Sequence, residues 1–204
     1  MNEKFISVYK VLDQFSPKDI SFLDSKDEFQ FLISVILSAQ TTDSNVNKVG
    51  KILFEKYPTA AALKDANLED VKTIIKTTGY YNNKAKNIIS CAKAIDEKGY
   101  VPKEYEELLK LSGVGSKTAN CLMGFRGEPS VAVDTHVKNV TSRVFSINSS
   151  FSAEKVEILI KENLPSKYWL RFSNTTNWWG RVYCTKKDPK CSKCHLRKFC
   201  DFYK

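Results

Sequence analysis

Glycine and proline are scarce, with 8 and 6 among 204 residues, so long irregular stretches are not expected. A long apolar run is missing too. The nearest, Phe31 to Ala39, is interrupted by Ser34 and Ser38 and falls far short of the ~20 residues that span a bilayer. The opening Met-Asn-Glu-Lys lacks the charged-then-apolar layout of a secretion signal. A membrane or secreted protein is therefore disfavoured, and a cytoplasmic one is expected. Acidic residues also run short: 23 Asp and Glu face 32 Lys and Arg, leaving +9. Eight of the basic residues and two of the acidic ones lie between Arg181 and Lys204. A polyanionic partner follows, with nucleic acid ahead of an acidic membrane face.

What is present is the balance of a folded chain, 42% apolar and 27% charged. Helical periodicity dominates. Phe5, Val8, Tyr9, Leu12 and Phe15 share one helix face. Phe29 to Leu37 is apolar nearly all round, which predicts a central buried helix. Val46, Val49, Ile52 and Leu53 form the next stripe, and Asn67 is placed to cap a helix carrying Leu68, Val71, Ile74 and Ile75. Ala85, Ile88, Ile89, Ala92 and Ile95 follow, and Val156, Leu159 and Ile160 come after Ser152. Period-two alternation is confined to Ser130 to Val133. The fold class is all-α.

Four of the six cysteines crowd into the tail as C-x6-C-x2-C-x5-C: Cys184, Cys191, Cys194 and Cys200. Clustering at one end reads as a metal or cluster site, and four thiolates suit either Zn²⁺ or [4Fe–4S]. Lys186, Lys187 and Lys190 lie between the first two ligands, a charge run that fits either a solvated loop or a phosphate-tracking one. Cys91 and Cys121 sit in helical patterns and are expected to be buried packing residues.

Leu111 to Ala119 reads L-S-G-V-G-S-K-T-A, between a helical stretch at 103–109 and a small-residue helix at 117–125. Gly113 and Gly115 around Val114 permit a tight reversal with positive φ angles. Its backbone N–H groups and the following helix N-terminus form a nest for phosphate. Alone, the turn fits a plain helix–helix connection equally well.

This stretch resembles the helix-hairpin-helix of the DNA glycosylase superfamily, in particular the endonuclease III branch. L-S-A-Q-T-T-D at Leu37 to Asp43, G-Y-Y-N-N-K-A at Gly79 to Ala85, V-A-V-D-T-H-V at Val131 to Val137 and the cysteine tail match in the same order. The resemblance runs from about residue 29 to residue 200. It implies a two-domain helical protein. Residues 21–129 would form a six-helix bundle, with the helix-hairpin-helix at about 103–125. Residues 1–20 plus 130–204 would form a helical domain whose cysteine loop holds [4Fe–4S] rather than zinc. The lesion site would lie in the cleft between the domains.

The same resemblance makes Lys117 the nucleophile. A free lysine amine is only ~0.04% neutral at pH 7, and only the neutral form attacks. Partial burial and an adjacent helix N-terminus would favour that form. Asp134 becomes the catalytic carboxylate, a role compatible with capping the helix that follows it. His136 would orient a neighbour or touch phosphate. Gln40 would fill the space left by a flipped nucleotide, and Tyr80 stands where the family has a wedging leucine. Asn139 takes a position where arginine is common, Arg143 is retained, and Trp178 and Trp179 precede Gly180 and Arg181 where histidine is usual. No acidic residue occurs from Gln30 to Gln40, which separates the chain from the adenine glycosylase branch. The function implied is a bifunctional DNA glycosylase and abasic-site lyase for oxidised pyrimidines. It would act on damaged double-stranded DNA as a nucleoid-associated monomer, without a membrane. The rival readings are a mismatch or other-lesion glycosylase of the same superfamily and a non-catalytic, metal-stabilised DNA-binding protein.

Overall fold

The computed structural model describes residues 3–203; the expected limits at residues 1 and 204 lie outside them. The described residues form helices and connecting turns, with no strand among them. They divide into two compact units. One is Ser21–Arg126, and the other joins the segment up to Ile20 with everything from Gly127 onward.

The Ser21–Arg126 unit is built around α2 (Glu28–Leu37), in which eight of ten residues are buried. Asp27 caps it by accepting the Gln30 N–H at 2.9 Å. The helices α3 (Asp43–Lys56), α4 (Ala60–Lys64) and α5 (Leu68–Ile75) follow, capped by Thr42, Thr59 and Asn67. The long α6 (Tyr81–Lys98) buries Ala85, Ile88, Ala92 and Ile95 and ends at the left-handed Gly99. Next come α7 (Tyr105–Leu108) and α8 (Ser116–Phe125), the latter packed on α2. Arg126 fixes the end of α8: its Nε donates to Glu28 Oε2 at 2.7 Å and its Nη1 to the Pro102 carbonyl at 2.9 Å.

In the other unit, α1 (Glu3–Phe15) buries Phe5, Val8 and Leu12. Helices α9 (Thr135–Phe145), α10 (Ala153–Asn163) and α11 (Trp169–Val182) share its core, which includes Val137, Val140, Val156, Phe172 and Trp179. The 184–200 segment includes two short 3-10 turns, of which His195–Phe199 packs on α1 and α9.

Several local expectations need correction. Phe15 and Ile52 belong to apolar stripes, yet they are 41% and 55% exposed. Phe15 ends α1 and stacks on His195, with centroids 3.9 Å apart. In α3 the buried row runs through Val46, Val49 and Leu53, and this turns Ile52 outward. Cys91 is buried, which pushes its thiol up to about 12, but Cys121 is only partly covered. The helix expected over 103–109 shortens to one turn, Tyr105–Leu108. The alternating Ser130 to Val133 pairs with no strand. It is an extended lead into α9 that buries Val131 and Val133.

Candidate functional site

The hairpin between α7 and α8 turns on Gly113, whose φ is +81°. A Cβ there would meet Asn87 Cβ at 3.0 Å and Ile36 Cγ2 at 3.1 Å, so a side chain would be crowded as well as strained. Gly115 is different: its φ of −107° is open to any residue, and a Cβ would meet nothing within 4 Å. The expected pair of positive-φ glycines is thus a single one. Val114 between them is buried, and its N–H donates to the Leu111 carbonyl at 3.1 Å. Gly115 is the N-cap of α8 and supplies no side chain to cap its first amides. These amides carry the positive end of the helix dipole.

Lys117 stands in the first turn of α8, half-buried. Its Nζ donates to Ser38 Oγ at 3.3 Å. Ser38 ends α2, and the neighbouring carbonyls belong to another lysine. Lys84 is 5% exposed, and its Nζ donates to the carbonyls of Leu37, Ala39 and Thr78 at 2.8, 2.7 and 2.8 Å. Burial lowers the Lys84 pKa to about 8. It is no candidate nucleophile, because it faces inward with all three donors used. Gln40 and Tyr80 follow these tethered carbonyls. Both are exposed, and both hold left-handed backbone, at φ 54° and 47°.

Asp134 is the N-cap of α9. Its Oδ1 accepts the N–H groups of His136 and Val137 at 2.9 and 2.8 Å. Oδ2 accepts Asn177 Nδ2 at 2.7 Å, and Asn177 Oδ1 in turn accepts Arg181 Nε at 2.8 Å. Asn177 and Arg181 lie one turn apart on α11. Gly180 lets that helix approach closely, because a Cβ there would lie 2.8 Å from His136 Cβ.

The four tail cysteines line one apolar cavity with Val140, Val144, Trp179, Leu196 and other residues. Helix α9 serves this loop as well. Asn139 Nδ2 donates to the Cys184 carbonyl at 2.9 Å, and Arg143 Nη1 to Cys184 Sγ at 3.5 Å and the Thr185 carbonyl at 2.8 Å. Arg143 Nη2 holds the Lys186 carbonyl at 3.0 Å. Trp179 Nε1 donates to Cys194 Sγ at 3.3 Å. Burial raises the thiols of Cys184 and Cys200. Lys186, Lys187 and Lys190 are all exposed on the loop.

The model of the HhH-GPD superfamily of base excision DNA repair proteins matches residues 33–166. The endonuclease III of Thermotoga maritima is 40% identical over 182 residues, 87% of this chain and 84% of that protein. A solved non-covalent endonuclease III–DNA complex matches with a TM-score of 0.92 at 35% identity, covering 100% of this chain and 97% of that one. A trapped endonuclease III–DNA covalent intermediate gives 0.94 at 34% identity with the same coverage. The chain belongs to the endonuclease III family.

Within this endonuclease III fold the end of α2 gathers one set of candidates. Gly113 packs on Ile36, Lys117 reaches Ser38, and the Gln40 and Tyr80 loops adjoin. Asp134 and His136 gather at the start of α9, in the other unit. Sequence reasoning did not single out Ser38, Lys84 or Asn177. Ser38 meets Lys117 79 residues away and Asn177 meets Asp134 43 away, while Lys84 joins Leu37 and Ala39, 47 and 45 residues away, to Thr78, six away. Asn139 and Trp179 were visible only as departures from the family pattern, and both prove to be hydrogen-bond donors to the cysteine loop.

Proposed function

We propose that this chain is a bifunctional DNA glycosylase and abasic-site lyase of base excision repair, acting on oxidised pyrimidines in double-stranded DNA. One observation carries the reading. Lys117 stands directly behind the Gly113 hairpin, and its one hydrogen bond among the described residues goes to a neutral hydroxyl. A lysine locked in an ion pair would be a poor amine nucleophile, whereas one beside a hydroxyl keeps its nitrogen available.

The nucleotide turns out of the duplex, Gln40 enters the gap and Tyr80 stacks against its edge. The Lys117 amine attacks C1′. The C1′–N bond breaks, and its electron pair leaves with the base, which takes up a proton. Asp134 accepts a proton from the amine and stabilises positive charge on the sugar. Its three hydrogen bonds hold it in one orientation, so no rearrangement is needed at that moment. The sugar ring opens to a Schiff base. Loss of a C2′ proton then expels the 3′ phosphate with the C3′–O electron pair, and the strand is cut. Gly113, Val114 and Gly115 hold phosphate with the first amides of α8, and His136 supports the Asp134 end of α9. Lys186, Lys187 and Lys190 track the DNA backbone.

Cys184, Cys191, Cys194 and Cys200 would hold a [4Fe–4S] cluster. Four thiols around one cavity, with N–H donors aimed at two of the sulfurs, suit a group whose sulfurs carry negative charge. When bound, the cluster supplies iron–thiolate bonds that fix the 184–200 loop. No described helix is long and apolar enough to cross a membrane. Work on chromosomal DNA would place the protein in the cytoplasm with the nucleoid, as a monomer.

Tyr80, 68% exposed, favours one second reading. A wedge larger than leucine would suit a mismatch or other-lesion glycosylase of the same superfamily.

Borohydride trapping separates these readings. Protein is mixed with duplex DNA carrying thymine glycol or an abasic site, reduced, and compared with Lys117→Ala. A covalent adduct on both DNAs, lost in the variant, is expected. An adduct on abasic DNA alone would move the substrate to other lesions or mismatches. Absence of both, from protein with its cluster intact, would sink the bifunctional reading and raise that of a binding module.

A further inference from the structure

Two non-glycine residues of the Ser21–Arg126 unit hold left-handed backbone, and they are Gln40 and Tyr80. Each such residue costs on the order of 1–3 kcal/mol and persists only where the surroundings over-determine it. Here the surroundings can be named. Lys84 projects from the first turn of α6 back towards that helix's N-terminus. Its ammonium joins the carbonyls of Leu37 and Ala39, just before Gln40, to that of Thr78, just before Gly79 and Tyr80. Two of these acceptors are carbonyls at the C-terminal end of α2, where a cation is electrostatically favoured. From the other side, Asn45 Nδ2 donates to Thr41 Oγ1 and to the Thr77 carbonyl, both at 3.0 Å, while its Oδ1 accepts Thr77 Oγ1 at 3.1 Å. The loops are in contact as well: a Cβ at Gly79 would lie 4.0 Å from the Gln40 carbonyl.

We propose that Lys84 is a positioning residue. With Asn45 it staples the two loops into one rigid two-pronged probe, Gln40 and Tyr80, that separates a lesion from its partner base. The inference rests on the DNA-processing reading above and deepens it. Burying a lysine costs heavily unless its charge is compensated, and a core position could have been filled by an apolar residue. What the ammonium adds is three carbonyls drawn from two segments some 40 residues apart in sequence. A probe made of separate flexible loops would give up orientation each time it entered the duplex.

The test compares a step that needs the probe with one that does not. Borohydride adduct formation by Lys84→Met is measured on duplex thymine glycol and on a single-stranded abasic oligonucleotide, where no partner base has to be displaced. The duplex rate should fall by about tenfold or more relative to the single-strand rate, the factor that ~1.4 kcal/mol of lost positioning gives. Lys84→Arg should restore part of the duplex rate. Parallel loss on both DNAs would make Lys84 merely a folding residue and overturn the proposal. Asn45→Ala removes the outer staple from a half-buried position and serves if Lys84→Met does not fold. It should lower the same ratio, and an unchanged ratio would equally overturn the proposal. Failure of the underlying reading looks different, because the unsubstituted protein would then form no adduct on either DNA.

Discussion

Asp134 holds two jobs that chemistry can separate. One oxygen caps α9 through two amides, and the other meets Asn177. Asparagine caps a helix about as well as aspartate. Asp134→Asn should keep the cap but set its NH2 against Asn177 Nδ2, so the melting temperature should fall by about a few °C for the one hydrogen bond lost. The adduct-forming rate should fall by roughly 10²–10⁴-fold, the usual worth of a positioned acid–base group. Asp134→Ala should show the same rate loss and a further destabilisation of about 1 kcal/mol from the missing cap. If Asp134→Asn keeps its rate, the carboxylate is a cap and nothing more. At this scale legibility followed locality. Lys117, Asp134 and the four cysteines sit in short motifs, whereas Asn177 and Lys84 gain their roles from partners that only the folded chain supplies. Lys84 is the lysine of the G-Y-Y-N-N-K-A block, but nothing in that block says that its ammonium turns inward to carbonyls near residue 38.

Among the elements, the hairpin from α7 to α8 depends on its two glycines very unequally. At Gly113 a methyl group would meet Asn87 and Ile36 in a left-handed backbone, while at Gly115 it would meet open space. Gly113→Ala should destabilise by about 2 kcal/mol or more, combining backbone strain with overpacking. Gly115→Ala should cost about 1 kcal/mol or less, because alanine is a poorer N-cap than glycine but meets no neighbour. Equal melting temperatures for the two variants would contradict this assignment. Helix α7 carries its own pH signature. Glu107 accepts from Lys98 Nζ at 2.6 Å and pairs with Lys110, and hydrogen bonding to these two lysines lowers its pKa to about 2 from the ordinary 4.5. Below 4.5 the unfolded chain binds the proton more readily. This stabilisation is therefore complete above pH 4.5 and lost as the pH falls towards 2. In acid titrations Glu107→Gln should show a flatter fall in stability over that window, by a small amount because the pair faces solvent. An identical slope would mean the pairing adds nothing. Periodicity located most of these helices because apolar stripes are short-range facts. It missed the outward turn of Ile52 because two adjacent apolar residues fit the stripe equally and tertiary packing chose Leu53. The alternation at Ser130 to Val133 comes from two buried valines in the lead into α9.

For the molecule as a whole, charge and cysteines converge on one loop. Arg143 grips the Thr185 and Lys186 carbonyls, and Lys190 N–H donates to the Tyr183 carbonyl at 2.8 Å. The backbone carrying Lys186, Lys187 and Lys190 is thus tied at both ends, while their side chains stay in solvent. Charges held this way lose little freedom when they meet phosphates, and each phosphate neutralised releases counterions. The +9 net charge made a polyanion the natural partner, but composition cannot say which lysines meet it. That depends on which segment is pinned, and the pinning residues Asn139, Arg143 and Trp179 lie outside the loop. Replacing Lys186, Lys187 and Lys190 together by alanine should weaken duplex binding and flatten its dependence on salt. The slope of log affinity against log salt concentration should shrink by about 0.9 for each phosphate that is no longer neutralised. The rate of adduct formation from saturated complexes should stay unchanged, because in the proposed reaction these lysines would hold the DNA backbone while Lys117 would perform the attack. An affinity that falls with its salt slope intact would mean that the substitutions damaged the loop and left phosphate neutralisation as it was. An unchanged affinity would show that the tail's charge is a solvated surface and that the grip on phosphate belongs to the hairpin.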